Sequence, residues 1–127
     1  MADQLLLDTT VLVDYLRDSD VAVKYLEEMG AEDHLLISAV TVAELYAVVR
    51  DGRELARLES LLSAFDIVPL DRAIAEKGGL YRRDYGPSHG TGLADALIAA
   101  SAAARLATLV TLNKRHFVML DKVTVPY

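Results

Sequence analysis

The 127-residue sequence has no cysteine, which removes disulfides, iron–sulfur ligation, Cys-based zinc sites and thiol nucleophiles together. Positive charge is scarce: 13 Lys and Arg stand against 19 Asp and Glu, a formal net charge of −6. Bulk electrostatics therefore opposes passive adhesion to nucleic acid or anionic lipid, and a polyanionic ligand needs a bound cation or a local basic patch. Long apolar runs are missing too. The longest, between Asp95 and Arg105, is about half of the roughly 20 residues that cross a bilayer. Met1-Ala2-Asp3-Gln4 is not a basic leader, and Leu5–Leu7 is too short for a signal-peptide core. A soluble, cytoplasmic protein without membrane contact is expected. His34, His89 and His116 lack the paired spacing of zinc ligands.

What is present reads as one domain spanning 1–127, with 53% hydrophobic and 25% charged residues. Leu5–Leu7, Leu35–Ser38, Asp66–Leu70 and Thr108–Thr111 have the length and apolar content of buried strands, with an edge strand expected near Val123–Val125. Helices are expected over Val11–Arg17, Val21–Met29 (stopped by Gly30), Val40–Arg50, Arg53–Phe65, Asp71–Tyr85 and Leu93–Leu106. Gly86–Gly92 reads as a loop and Asn113–Phe117 as a short turn. Apolar strands alternating with helices imply an α/β fold with a parallel sheet of four to five strands, covered on both faces. Ligands of such sheets bind beyond the carboxyl ends of the strands.

Three acids occupy places where an unpaired carboxylate is expensive. Asp8 directly follows three leucines, where a helix cap is an equally good reading. Glu44 is the only charge in Ala39–Val49, a helix apolar all round and so expected to be buried, with Glu44 facing a cleft or a partner. Asp95 shares a helix face with Ile98, Ala99, Ala102 and Leu106. Its place in the first helical turn suits the positive helix end, but the apolar face needs another explanation. Three carboxylates brought together repel one another, and a hard divalent cation, Mg²⁺ or Mn²⁺, relieves the conflict. Such an ion polarises phosphoryl oxygens and acidifies water, which makes metal-assisted hydrolysis the economical chemistry.

Leu6–Asp14, Ile37–Leu45, Gly92–Ala100 and Val110–Phe117 resemble, in order and spacing, the sequence blocks of PIN domains, closest to the VapC toxins of VapBC toxin–antitoxin pairs. The resemblance covers nearly the whole chain. It implies a PIN-like three-layer sandwich, Mg²⁺- or Mn²⁺-dependent endoribonuclease activity on RNA, homodimerisation, and inhibition by a cognate VapB-like antitoxin. Asp8, Glu44 and Asp95 match the family's acidic metal site. At the fourth acidic position this sequence has Asn113, with His116 nearby, so an uncharged amide is expected to position water or metal there.

Thr9, Thr10, Ser38 and Thr111 fall at expected strand ends, where they are candidates to orient metal-bound water but are read first as caps and turn formers. Asp14 is expected to be solvated or capping, and Tyr15, Leu16, Leu45, Tyr46, Leu58 and Leu62 to be mostly core. Arg50, Arg53 and Arg57, with the pairs Arg82-Arg83 and Lys114-Arg115, are candidate phosphate contacts whose alternative is a solvated face with nearby acids. Two rival functions remain open from the residues: a catalytically degenerate PIN scaffold that binds RNA or a partner, and a receiver-like phosphoacceptor domain. Receiver domains group acids just after the first strand, where only Asp8 sits.

Overall fold

A computed structural model describes residues 3–127; Met1 and Ala2, part of the non-basic N-terminal stretch, lie outside it. In chain order the elements are β1 (Gln4–Leu7), α1 (Thr9–Leu16), α2 (Asp20–Glu32), β2 (His34–Ser38), α3 (Ala39–Val48), α4 (Arg53–Leu62), β3 (Asp66–Val68), α5 (Arg72–His89), α6 (Leu93–Arg105), β4 (Thr108–Val110), a 3-10 turn (Lys114–Phe117) and β5 (Val123–Thr124). The five strands form one sheet in the order β3-β2-β1-β4-β5, and every pairing is parallel. Among the described residues no helix is long and apolar enough to cross a membrane.

The alternation of side chains along each strand divides the core into two layers. Leu5, Leu7, Leu35, Ile37 and Val110 pack against α1, α2 and α4, with Leu12, Leu16, Leu26 and Leu58 among their partners. Leu6, Leu36, Val68 and Leu109 face the other way, against Ile74 of α5, Ile98 and Ala102 of α6, and Phe117. The sheet is thus buried on both faces, which is why its strands read as unbroken apolar runs.

The order of strands places β1 centrally, with the chain passing to β2 on one side and β4 on the other. Connections diverge at that point, and in open parallel sheets ligands bind beyond the strand carboxyl ends at such a place, here the ends of β1 and β4. Register sets what lines it. Leu7 pairs with Val110, and Asp8 N–H donates to Val110 O at 2.9 Å, so Asp8 and Thr111 emerge side by side.

Several expected boundaries move. Helix α2 continues through Gly30 to Glu32, because helical bonding persists to Asp33 N–H, which donates to Met29 O. Leu26 and Met29 pack on the core, and that burial outweighs a glycine penalty of about 1 kcal/mol. The expected Gly86–Gly92 loop is helical as far as His89. Pro87 is tolerated because it lies in the last turn, where only one backbone bond is forfeited. Helix α3 ends at Val48, α4 ends at Leu62 under the Ser63 cap, and β3 ends at Val68 before Pro69. Helix α3 is not buried all round: Thr41 and Leu45 are, whereas Tyr46 and Val48 are nearly half exposed, so Tyr46 is not core. Leu106 does not continue the α6 face; it adopts a left-handed cap at φ 52° and is 82% exposed. Helix α5 packs closely on α6 through Gly78, where a Cβ would meet Leu97 Cδ2 at 2.5 Å and Leu97 Cα at 3.1 Å.

Candidate active site

Asp8 is 3% exposed. It is both things the sequence allowed. As the N-cap of α1 it accepts Thr9 N–H on Oδ1 at 2.8 Å, and its Oδ2 accepts the Thr111 hydroxyl at 2.7 Å. Thr111 is itself buried and its Oγ1 also accepts Asn113 N–H at 3.0 Å, so the β4 end is tied to the buried acid. The Asp8 carboxyl is pushed above its ordinary pKa, chiefly by burial. Thr111 and Thr9 oppose the shift by hydrogen bonding to the charged form, while the charges of Asp95 and Glu44 add to it.

Those two acids come from helices that start at the same sheet margin. Ser38 ends β2 and caps α3, accepting Val40 N–H at 3.0 Å, which aims the first turns of α3 toward α1. Glu44 is half-buried there, and its Oε1 accepts the Thr9 hydroxyl at 2.6 Å, with the Thr41 hydroxyl 3.1 Å from Thr9 Oγ1. Thr9 therefore holds two carboxylates, Asp8 by its backbone N–H and Glu44 by its side chain. Asp95 lies in the first turn of α6 and is half-buried, with Oδ2 facing His116 Nδ1 at 3.2 Å. That bond requires a proton on Nδ1. His116 is fixed from behind, since the Thr91 hydroxyl donates to its carbonyl at 2.7 Å. Ser101 of α6 donates to Leu97 O at 2.8 Å and lies 3.3 Å from Ser38 Oγ, so α6 and the start of α3 share a buried polar contact.

The three sequence-predicted acids thus meet in one electrostatic field, but their side chains are not drawn into a cage. Among the described residues no three His, Asp or Glu side chains are gathered closely enough to enclose an ion. Glu44 is turned onto Thr9 and Asp95 onto His116. The donor set still fits a hard cation: it is all carboxylate and hydroxyl oxygen around a buried acid whose charge is opposed by its neighbours. Glu44 Oε2 and Asp95 Oδ1 accept no hydrogen bond among the described residues, so either acid can meet an ion while its other oxygen stays bonded. Asn113 is exposed at the exit of β4; its N–H donates to Thr111 Oγ1, its carbonyl accepts His116 N–H at 3.0 Å, and its side chain makes no hydrogen bond among the described residues.

Other candidates fall elsewhere. Asp14 is half-buried and accepts the Tyr127 hydroxyl at 2.7 Å; burial first, and then this bond and the Asp14 charge, drive the Tyr127 pKa far up. Arg50, Arg53 and Arg57 do not share one helix, because Asp51-Gly52 breaks it; with Arg17 they line a cavity of about 220 Å³. Asp18 and Glu54 pair with these arginines, and Arg57 also caps the end of α1 by donating to Leu16 O and Tyr15 O. The residues that sequence reasoning undervalued are the hydroxyls of Thr9 and Thr111 and the His116–Asp95 contact. Thr111 was a candidate from its place at a strand end, but its bond to Asp8 was legible only through the pairing of β1 with β4, which joins residues 103 positions apart.

The PIN domain family model matches residues 5–123. The sequence is 40% identical over 124 residues to "Ribonuclease VapC19" of Mycobacterium tuberculosis, covering 96% of this chain and 98% of that one. It is 36% identical over 126 residues to "Ribonuclease VapC10" of the same organism, covering 97% and 92%. Among solved structures it resembles a toxin–antitoxin complex from Klebsiella pneumoniae with a TM-score of 0.81 and 28% identity, over 97% of this chain and 98% of that one. A central parallel sheet with acids at its carboxyl margin, matched over nearly its whole length, places this chain in the PIN-domain family, in its VapC branch.

Proposed function

We propose that the chain is an endoribonuclease toxin restrained by a VapB-like antitoxin, and that Asp8, Glu44 and Asp95 bind the Mg²⁺ or Mn²⁺ it needs. The observation that carries the reading is the buried Asp8 carboxyl at the carboxyl ends of β1 and β4, opposed by the charges of Asp95 and Glu44. Such a carboxylate is costly to ionise without a cation. When bound, a divalent ion stabilises charge on a phosphoryl oxygen and makes water a better nucleophile.

The protein's own residues prepare that chemistry. Thr9 and Thr111 fix both Asp8 oxygens, so the deepest ligand does not wander. Thr9 and His116 orient Glu44 and Asp95 beside it, each with one carboxylate oxygen left for a cation. Asn113 supplies an exposed, uncharged amide at the mouth, suited to a water or a phosphate oxygen that a fourth carboxylate would repel. The named ribonuclease relatives support RNA as substrate, and the toxin–antitoxin neighbour supports an antitoxin partner. Tyr46 of α3 and Leu93 of α6 are 46% and 56% exposed, apolar side chains that a partner helix or a second copy of the chain would cover.

The test is cleavage of end-labelled single-stranded RNA in Mn²⁺ or Mg²⁺. Fragments are expected, abolished by EDTA, with Asp8→Asn and Asp95→Asn each losing at least about a hundredfold in rate, since cation-stabilised charge is worth several kcal/mol. Equal cleavage by the Asp8→Asn/Asp95→Asn double variant would refute the site. Metal-independent RNA binding without cleavage would instead favour the degenerate scaffold that the Asn113 position suggests.

A further inference from the structure

An acidic centre cannot hold RNA by itself: it repels the phosphates that flank the scissile one. Resting on the ribonuclease reading, the question becomes which cation beside the site is free to hold them. Arg17, Arg50, Arg53, Arg57, Arg72 and Arg83 each have a carboxylate within 4.0 Å. Arg82 has none among the described residues; its neighbour Asp84 is bonded to Arg83. Arg82 is exposed, and it lies one helical turn before Gly86 on α5.

Gly86 gives Arg82 its course. A Cβ at Gly86 would collide with Arg82 Nη1, lie 2.8 Å from its Cζ, and come within 3.2 Å of Thr91 O. The guanidinium therefore lies in the notch left by the missing side chain, pointing along α5 to the connection that enters α6. That connection borders the acids. Thr91 bonds His116, a Cβ at Gly90 would lie 3.7 Å from His116 Nε2, and His116 bonds Asp95. Lys114 and Arg115, exposed and unpaired among the described residues, precede His116 on the same rim. We infer that Arg82, seated over Gly86, binds a backbone phosphate of single-stranded RNA next to the scissile position, with Lys114 and Arg115 continuing the track. The Arg17–Arg57 cluster is excluded from this role: its guanidiniums share Asp18 and Glu54, and it lies at the far end of α1, away from the strand carboxyl ends.

One phosphate contact on a single strand changes the slope of log affinity against log salt by about 0.7, which is about fivefold in affinity at 0.1 M salt. The experiment measures binding of a fluorescent single-stranded RNA in EDTA across a salt series, and KM and kcat for its cleavage in Mn²⁺. For Arg82→Gln the expected results are about fivefold weaker binding, a slope shallower by about 0.7, raised KM and unchanged kcat. Arg83→Gln leaves all four unchanged. Gly86→Ala keeps the charge, displaces the guanidinium, and weakens binding as well. Wild-type affinity and slope in Arg82→Gln, with cleavage intact in the unsubstituted chain, would overturn this inference alone. Absence of both binding and cleavage in the unsubstituted chain would overturn the ribonuclease reading and this inference with it.

Discussion

Replacing Asp8 by Asn should make the metal-free protein more stable at neutral pH while removing its response to divalent cations. The Asp8 pKa is raised in the folded state, so between the ordinary value of 3.8 and that higher value the native protein binds more protons than the unfolded chain. Stability then falls as pH rises through this window, and at pH 7 the ionised Asp8 carries the full penalty. Each unit of upward shift is worth about 1.4 kcal/mol, and 1 kcal/mol in a chain of this size moves Tm by about 3–5 °C. Asn removes the charge and keeps both contacts: its oxygen can accept Thr9 N–H and its amide can donate to Thr111 Oγ1. Thermal unfolding in EDTA should show Asp8→Asn melting above the unsubstituted chain at pH 7, with the gap closing as pH approaches 4. Mn²⁺ should raise Tm in the unsubstituted chain only. A variant that melts lower at pH 7, or a gap that does not change with pH, would refute the burial argument.

Thr9→Val removes the hydroxyl that holds Glu44 and leaves the Asp8 backbone contact; metal affinity or cleavage should fall about 10- to 100-fold, read by titration and by initial rates. Gly78→Ala should lower Tm by a few degrees despite a helix-propensity gain of about 1 kcal/mol, because the new methyl would press on Leu97 Cδ2 and Cα.

The layered fold was legible because burial on both faces leaves a strong mark: Leu5–Leu7 and Leu35–Ile37 carry no polar residue, and each precedes a polar cap. The acids stood out by their apolar surroundings, Asp8 directly after three leucines and Glu44 as the one charge in Ala39–Val49, although the exposed Tyr46 and Val48 give α3 a solvent face that the sequence did not show. What failed was local. Gly30 and Gly86 read as stops, yet both lie in helices held by packing elsewhere along their length, and Gly86 makes room for Arg82 instead of ending α5. The exposure of Tyr46 was hidden because an apolar residue on a helix does not say whether its neighbour belongs to the same chain. The bonds from Thr111 to Asp8 and from His116 to Asp95 depend on strand order and on the path of the α5–α6 connection, which no local pattern encodes.

The most direct test is anomalous diffraction from crystals of the free chain soaked in Mn²⁺. The predicted result is a peak bound by an Asp8 oxygen together with an oxygen of Glu44 or Asp95. A fully soaked crystal with no ion at Asp8 would contradict it.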